Sequence, residues 1–155
     1  MDQAKPPLEP LLMTDAVTVY LEDLSVGQSL ERAFTATDAA IRAFADVSED
    51  HNPVHVDEAY AATTPFKGRI AHGALLNAWI SATIAGGLPG RGSIYVSQSL
   101  SFKRAVKIDD VVTITLTVTD IQPKTGVVTL TTVASVGGKT YAKGVAEVIA
   151  PRKPV

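Results

Sequence analysis

Alternating hydrophobic and polar residues dominate the second half of the chain. Between Val112 and Thr119, aliphatic residues occupy every even-numbered position and threonine occupies every odd-numbered position. Side chains of a strand point alternately to its two faces, so this pattern predicts a strand with one face in the core. Gly137-Gly138 suits a tight turn between two further strands, which indicates a mostly antiparallel sheet. Strands are predicted over residues 93–106, 111–121, 127–136 and 139–149.

Residues 93–106 show a less regular alternation. Serines and a lysine occupy most of the odd-numbered positions, and hydrophobic residues occupy most of the even-numbered ones. Because residues of one parity share a face, the even-numbered hydrophobic residues are predicted to face the core. These residues are Ile94, Val96, Leu100 and Phe102.

Helical patterns lie in the first half of the chain, after a predicted strand over residues 29–36. Thr37 is predicted to cap a short amphipathic helix over residues 38–47, and Asp57 to cap a second one over residues 58–62.

A longer helix is predicted over residues 71–85, which are apolar around most of the circumference. A helix of this kind is expected to be buried. It is shorter than the roughly 20 apolar residues that cross a bilayer, so no membrane span is predicted.

The order of the elements predicts an α+β fold in which a curved, mostly antiparallel sheet wraps around the long apolar helix, the hot-dog fold. One protomer would cover this helix incompletely, so we expect a homodimer or a higher homo-oligomer. A single domain is predicted over residues 21–150 of the 155-residue chain, with a flexible, proline-containing arm over residues 1–20 and a tail over residues 151–155.

Composition narrows the possible chemistry. The 14 Lys and Arg residues do not exceed the 16 Asp and Glu residues, so nucleic acid is not an expected partner. The chain has no cysteine, which excludes disulfides, thiolate nucleophiles and cysteine-bound metals. Catalysis would have to use histidine, carboxylate, hydroxyl or backbone groups. The N-terminal residues do not resemble a secretory signal, so a cytoplasmic location is expected.

All three histidines lie between positions 51 and 72. The spacing of His51 and His55, with His72 as a third nitrogen donor, raises the possibility of a zinc site. Pro53 disfavours the helical conformation at Asn52, so His51 and His55 are not expected to share one face of a regular helix. No metal site is therefore predicted, and His51 is interpreted as a surface residue.

Residues 48–61, SEDHNPVHVDEAYA, resemble the hydratase 2 motif of MaoC-like (R)-specific enoyl-CoA hydratases. Asp50, Asn52-Pro53 and His55 match the core of that motif, whereas Glu49 stands where the family often has glycine. The resemblance covers roughly residues 21–149. Within this family, the sequence is similar in particular to the short enzymes that supply polyhydroxyalkanoate synthesis.

The resemblance implies reversible syn addition of water to trans-2-enoyl-CoA, which gives (R)-3-hydroxyacyl-CoA. Asp50 and His55 would be the catalytic pair that holds the water; Asp50 is the preferred base, and His55 would orient the water or relay the proton. Asn52 would hydrogen-bond in the site or support the loop, and the supporting role is preferred. Gly73 would offer its amide to the thioester oxygen at the start of the long helix, where His72 caps the helix or lines the entrance.

The same resemblance implies a set of substrate-binding residues and no cofactor beyond the CoA of the substrate. Ser81 and Ile84 would border the acyl tunnel, with core packing as the alternative. Apart from the resemblance, the phosphates of CoA need cations at the tunnel mouth, and the candidates are Lys67, Arg69, Lys103 and Arg104, with solvated surface charge as the alternative. Three other functions remain open: a dehydratase acting on acyl carrier protein, a hot-dog thioesterase and a non-catalytic binding subunit.

Overall fold

The computed structural model describes residues 17–155, in which the strands and helices follow the predicted order with one additional short helix, α2. The strands are β1 (Ser29–Thr35), β2 (Ile94–Phe102), β3 (Val111–Ile121), β4 (Val127–Val136) and β5 (Lys139–Ile149). The helices are α1 (Asp38–Ser48), α2 (Pro53–Val56), α3 (Glu58–Ala62) and α4 (Gly73–Gly87). Leu21–Asp23 form a short 3-10 helix before β1.

The five strands form one antiparallel sheet in the order β1-β3-β4-β5-β2. The bounds predicted for β3, β4 and β5 are confirmed. Gly137 and Gly138 adopt φ angles of 56° and 77°, as the tight turn between β4 and β5 requires. The aliphatic side chains of β3 face the core and its threonines face outward, as predicted.

The long helix α4 packs against β1, β2 and β3, on the concave side of the sheet. Leu76, Ile80 and Ile84 are buried against the strands, and Trp79 stacks on Phe34 with ring centroids 5.2 Å apart. The helix is not buried on every side, however, because a face of small residues that includes Ala74 and Ala78 is exposed. The predicted α+β hot-dog arrangement is confirmed, with one side of its central helix uncovered in the protomer.

The prediction for the core face of β2 is wrong at its first half. A β-bulge between Tyr95 and Ser97 reverses the parity, so that Tyr95 faces the core and Ile94 and Val96 are exposed. Leu100 packs against the core as predicted. The core prediction is also wrong for Phe102, which is 54% exposed because its ring lies over the start of α4 near the end of the sheet.

Most of the predicted N-terminal arm, residues 1–16, lies outside the described residues. The described end of the arm is bound to the domain, because the amide of Val19 donates to the carbonyl of Pro89 (2.7 Å). The C-terminal tail is bound as well: the carbonyl of Pro151 accepts from Leu21, and Lys153 pairs with Asp23. Within residues 17–155, no helix is long and apolar enough to cross a membrane.

Candidate active site

The turn after α1 carries Asp50. Helix α1 ends at Ser48, and Glu49 adopts a left-handed conformation (φ 61°), which reverses the chain direction. The carboxylate of Asp50 accepts a hydrogen bond from the amide of Asn52 (3.2 Å), and the side chain of Asn52 accepts one from the amide of Val54 (3.4 Å). Asn52 therefore caps the next helix, a geometry that favours its predicted supporting role.

His55 lies on α2, a single helical turn where the sequence predicts a loop. Asn52 is its N-cap and Pro53 occupies its first turn, a position where proline stabilises a helix because it has no amide to leave unpaired. The Asn-Pro pair is a helix-start signal that could have identified α2 from the sequence. The turn points His55 inward, where only 8% of the residue is exposed.

Residues 69 and 70 hold the turn that carries His55 at three points, two of them on His55 itself. The amide of Ile70 donates to the carbonyl of Val54 (3.2 Å), and Nδ1 of His55 lies 2.7 Å from the carbonyl of Ile70. Nε of Arg69 donates to the carbonyl of His55 (2.6 Å). A carbonyl only accepts, so Nδ1 of His55 carries the proton and Nε2 of the neutral ring keeps a free lone pair. Burial lowers the pKa of His55 below its usual 6.5, which favours that neutral form.

His72 connects the two parts of the site. It is 1% exposed, its Nε2 donates to the carbonyl of Asp50 (3.0 Å), and its ring stacks on that of His55 with centroids 3.8 Å apart. His72 is also the N-cap residue of α4, but its side chain makes no capping hydrogen bond. Of the two roles considered for His72, it takes the N-cap position but makes no side-chain capping bond, because its ring holds the Asp50 turn; lining the entrance stays a prediction.

Asp50, His55 and His72 converge. One carboxylate oxygen of Asp50 and one ring nitrogen of each histidine all lie within 4.8 Å of one another. Two acceptors that share one water molecule at about 2.8 Å lie about 4.5 Å apart, so this separation suits a bridging water. The Asp50 side is exposed to solvent, whereas both histidines are buried.

The same three residues could be considered as metal ligands, but the ring geometry is unfavourable. Each histidine already uses one nitrogen in a hydrogen bond to a main-chain carbonyl. The planes of the two rings differ by only 27° in a stacked arrangement, whereas lone pairs that meet at one ion must lie close to both ring planes. The arrangement is better suited to proton transfer, and the absence of a metal site stays a prediction.

Gly73 begins α4 directly after His72. Among the described residues, no backbone partner accepts a hydrogen bond from the amide of Gly73 or of Ala74, as expected for the first turn of a helix. A Cβ at Gly73 would lie 2.9 Å from the ring of Phe102. Glycine at this position leaves space between the amide and the Phe102 ring.

The predicted substrate-binding residues are dispersed. Lys67 and Lys103 are exposed, Ser81 is half-buried on α4, and Ile84 is buried in the core. Arg69 does not have the surface position expected of a phosphate ligand. Its side chain is 6% exposed and bound within the protomer, so the phosphate prediction for Arg69 is corrected.

A polar network that the sequence analysis missed lies between α4 and β2. The hydroxyl of Tyr95 donates to Gln98 (2.5 Å), and the amide of Gln98 donates to buried Thr132 (2.8 Å). Asn77 of α4 acts on Tyr95 as well, because it opposes the effect of burial on the pKa of Tyr95. Burial raises the pKa of Tyr95 above its usual 10.0. Gln98 belongs to a segment, residues 98–103, that takes part in the family resemblance, but nothing in the sequence pairs it with Tyr95; the bulge in β2 is what brings Tyr95 to this face.

Residues 23–139 match the family model described as MaoC like domain. An (R)-specific enoyl-CoA hydratase of Rhodospirillum rubrum is 48% identical over 139 residues, which are 90% of this chain and 96% of that protein. The (R)-specific enoyl-CoA hydratase of Aeromonas caviae is 44% identical over 133 residues, 84% of this chain and 98% of that protein.

Solved structures give the same result. An R-hydratase from Pseudomonas aeruginosa in the unliganded form superposes with a TM-score of 0.84 at 44% sequence identity, and the match covers 88% of each chain. The family model covers most of the domain, and both relatives are matched over nearly their full length. This chain therefore belongs to the MaoC-like domain family.

Proposed function

We propose that this protein is an (R)-specific enoyl-CoA hydratase, a hydro-lyase that adds water reversibly to trans-2-enoyl-CoA to give (R)-3-hydroxyacyl-CoA. The observation that carries the proposal is the convergence of Asp50 and His55 within 4.8 Å, beside the N-terminus of α4. The names of the relatives that match over nearly their full length support the same reaction.

The pair supplies the acid–base chemistry. A water molecule donates one hydrogen bond to the carboxylate of Asp50 and the other to Nε2 of neutral His55. As the water oxygen bonds to the β-carbon, one O–H bond breaks and Asp50 takes the proton, while His55 orients the water. The proton then passes from the pair to the α-carbon on the same face. An acid–base pair of this kind contributes typically 10²- to 10⁴-fold to the rate.

Gly73 supplies the electrostatic stabilisation of the charge that develops on the thioester oxygen. The π electrons of the double bond move onto the thioester oxygen before the α-carbon is protonated, so a hydrogen-bond donor must already face that oxygen. The amide of Gly73 has no other backbone acceptor among the described residues and lies at the positive end of the α4 dipole. The reaction adds H and OH with no net oxidation or reduction, so it needs no redox cofactor, and we propose that the only cofactor involved is the CoA of the substrate.

The substrate is proposed to be a CoA thioester, with exposed Lys67 and Lys103 near its phosphates and Ser81 and Ile84 beside its acyl chain. We also propose a homodimer, since β2 is an edge strand with exposed Ile94 and an exposed small-residue face of α4 nearby. A molar mass from light scattering equal to that of one chain would contradict the dimer. The expected location stays the cytoplasm.

The test is the loss of ultraviolet absorbance when the conjugated double bond of crotonyl-CoA is hydrated. The wild-type protein should remove this absorbance, and Asp50→Ala and His55→Ala should lose activity by about 10²- to 10⁴-fold. His51→Ala is the matched control, because His51 lies in the same loop but is exposed and points toward Asp46 at 4.0 Å. It should keep the wild-type rate.

The other functions give different results in the same assay. Release of free thiol would indicate a thioesterase, and a rate measurable only with crotonyl-acyl carrier protein would indicate the carrier-protein dehydratase. No reaction with either substrate would indicate a binding subunit. Chiral analysis of the product tests the (R) assignment. Equal rates for wild type, Asp50→Ala and His55→Ala would refute the proposed site.

A further inference from the structure

Arg69 is a buried cation with two anchoring contacts. Its side chain is 6% exposed, Nε donates to the carbonyl of His55 (2.6 Å), and one terminal nitrogen donates to Oδ1 of Asp38 (2.6 Å). Its second terminal nitrogen is buried without a partner among the described residues. Removing a guanidinium from water is energetically costly. The burial of Arg69 therefore indicates that its contacts with His55 and Asp38 are needed in the folded protein.

Asp38 joins this cation to the first turn of α1. The carboxylate of Asp38 is half exposed and also pairs with Arg42 on the outer surface of α1 (3.0 Å). The contact with Arg69 is the main cause that holds the pKa of Asp38 below its usual 3.8. Asp38 thus pairs with an inner partner, Arg69, which contacts the turn that carries His55, and with an outer partner, Arg42, which does not.

We propose that Asp38 and Arg69 are a positioning pair for His55. This inference rests on the proposed function, in which Nε2 of His55 must face the water that Asp50 also binds. The guanidinium of Arg69 connects the first turn of α1 to the carbonyl of His55 on α2. The carbonyl of the next residue, Ile70, accepts a hydrogen bond from Nδ1 of His55. The pair fixes the backbone of His55, and Ile70 then fixes its ring and tautomer.

Arginine is required for this role because of its geometry. A guanidinium presents several donors in a rigid plane, and here two of them reach acceptors on different elements. The ammonium of lysine is a compact, more strongly hydrated charge on a flexible stem. Lysine would keep the charge but would not hold both acceptors in the same geometry.

The experiment compares Arg69→Met, Arg69→Lys and Asp38→Asn with the wild type in crotonyl-CoA hydration. Misplacement of a catalytic group by about 1 Å can cost about 10²-fold, so Arg69→Met should lower kcat by about that factor with KM unchanged. Arg69→Lys and Asp38→Asn should lower kcat in the same direction. Arg42→Met is the matched control, since it removes the outer partner of Asp38 alone, and its kcat should stay within about twofold of wild type.

Nitrogen NMR of the imidazoles gives a readout that is independent of activity. In the wild type, His55 should show a protonated Nδ1 and an unprotonated Nε2, and Arg69→Met should show averaged tautomers at His55 while circular dichroism stays unchanged. A folded Arg69→Met or Arg69→Lys protein with wild-type kcat, or with an unchanged His55 signal, would overturn the proposal.

Two further results are decisive. If Arg69→Met does not fold, Asp38→Asn decides the question, because Asp38 is exposed enough for its substitution to be tolerated, and unchanged kcat and NMR signals in that variant would refute the pair. If the wild type does not hydrate crotonyl-CoA, the proposed function fails, and the His55 signal in the same variants still tests the positioning role.

Discussion

The two halves of the candidate active site are built from different parts of the chain. The acid–base half uses the side chains of Asp50 and His55, which lie on short turns between α1 and α3. The carbonyl half is proposed to use the backbone amide of Gly73 at the start of α4. The first half depends on which side chains are present, and the second depends on an N–H group that almost any residue provides.

The two side chains of the acid–base half also differ from each other. His55 is buried and held through Nδ1, and its lowered pKa favours an imidazole that is neutral and able to accept a proton. Asp50 is exposed and is held through its main chain by His72 and through its carboxylate by Asn52. Pairs of titratable groups in unlike environments are typical of acid–base sites. These environments are consistent with the proposed mechanism, in which the buried imidazole positions the water and the solvated carboxylate removes its proton.

After the two substitutions of the acid–base pair described above, the largest effect should come from removing the backbone donor of the carbonyl half. Gly73→Pro deletes the N–H, and proline is tolerated at the first position of a helix. His72, with φ −62° and ψ 137°, already has the extended conformation that a residue before proline prefers. We expect kcat to fall by about 10²- to 10³-fold, as for the loss of one oxyanion donor.

Gly73→Ala is the matched control, because it adds a Cβ but keeps the N–H. The added carbon would meet the ring of Phe102, which is exposed enough to move, so the loss should be much smaller than for Gly73→Pro. Steady-state kinetics with crotonyl-CoA measures both variants. Equal losses would mean that space at Gly73 matters and its amide does not.

An intermediate effect should come from pH, which acts on the acid–base half. His55 accepts a hydrogen bond at Nε2 only when neutral, and burial lowers its pKa below 6.5. The kcat/KM value should therefore stay high as pH falls to 6.5 and decline at lower pH, by about tenfold per pH unit once His55 is protonated. An NMR titration of the His55 ring, assigned with His55→Gln, should give a midpoint below 6.5. A midpoint at or above 6.5 would contradict the assignment.

The sequence predicted the strand bounds best where hydrophobic and polar residues alternate regularly along the strand. The bounds of β3, β4 and β5 follow from strict alternation and from the Gly137-Gly138 turn. The failure at β2 has a physical reason, because the bulge after Tyr95 depends on how β2 pairs with β5. Alternation within a single strand does not contain that information.

The convergence of Asp50 and His55, the proposed catalytic pair, was predictable for a different reason: the two residues lie five positions apart within one motif. Arg69 was misassigned because a charged side chain is usually exposed, and its burial depends on Asp38, which lies 31 residues away. The contact between His72 and the main-chain carbonyl of Asp50 was equally hidden, since every residue has a carbonyl.

The smallest effect should come from Glu49, where the backbone of the acid–base half is strained. Glu49 has φ 61° at the end of α1, a conformation that glycine adopts without the Cβ penalty. Glu49→Gly should raise the free energy of unfolding by up to about 1 kcal/mol, because relief of about 1–2 kcal/mol is partly offset by the greater freedom of glycine in the unfolded chain.

Urea denaturation measures this change, with Glu58→Gly as the control. Glu58 lies in the first turn of α3 with an ordinary helical backbone, where glycine should destabilise the protein. The kcat of Glu49→Gly should stay close to wild type if the hydrogen bonds from His72 and Asn52 hold Asp50 without help from Glu49. A stabilised variant with a strongly reduced kcat would show instead that the strained turn itself aims the carboxylate, and the acid–base half would then depend on backbone conformation as much as on side chains.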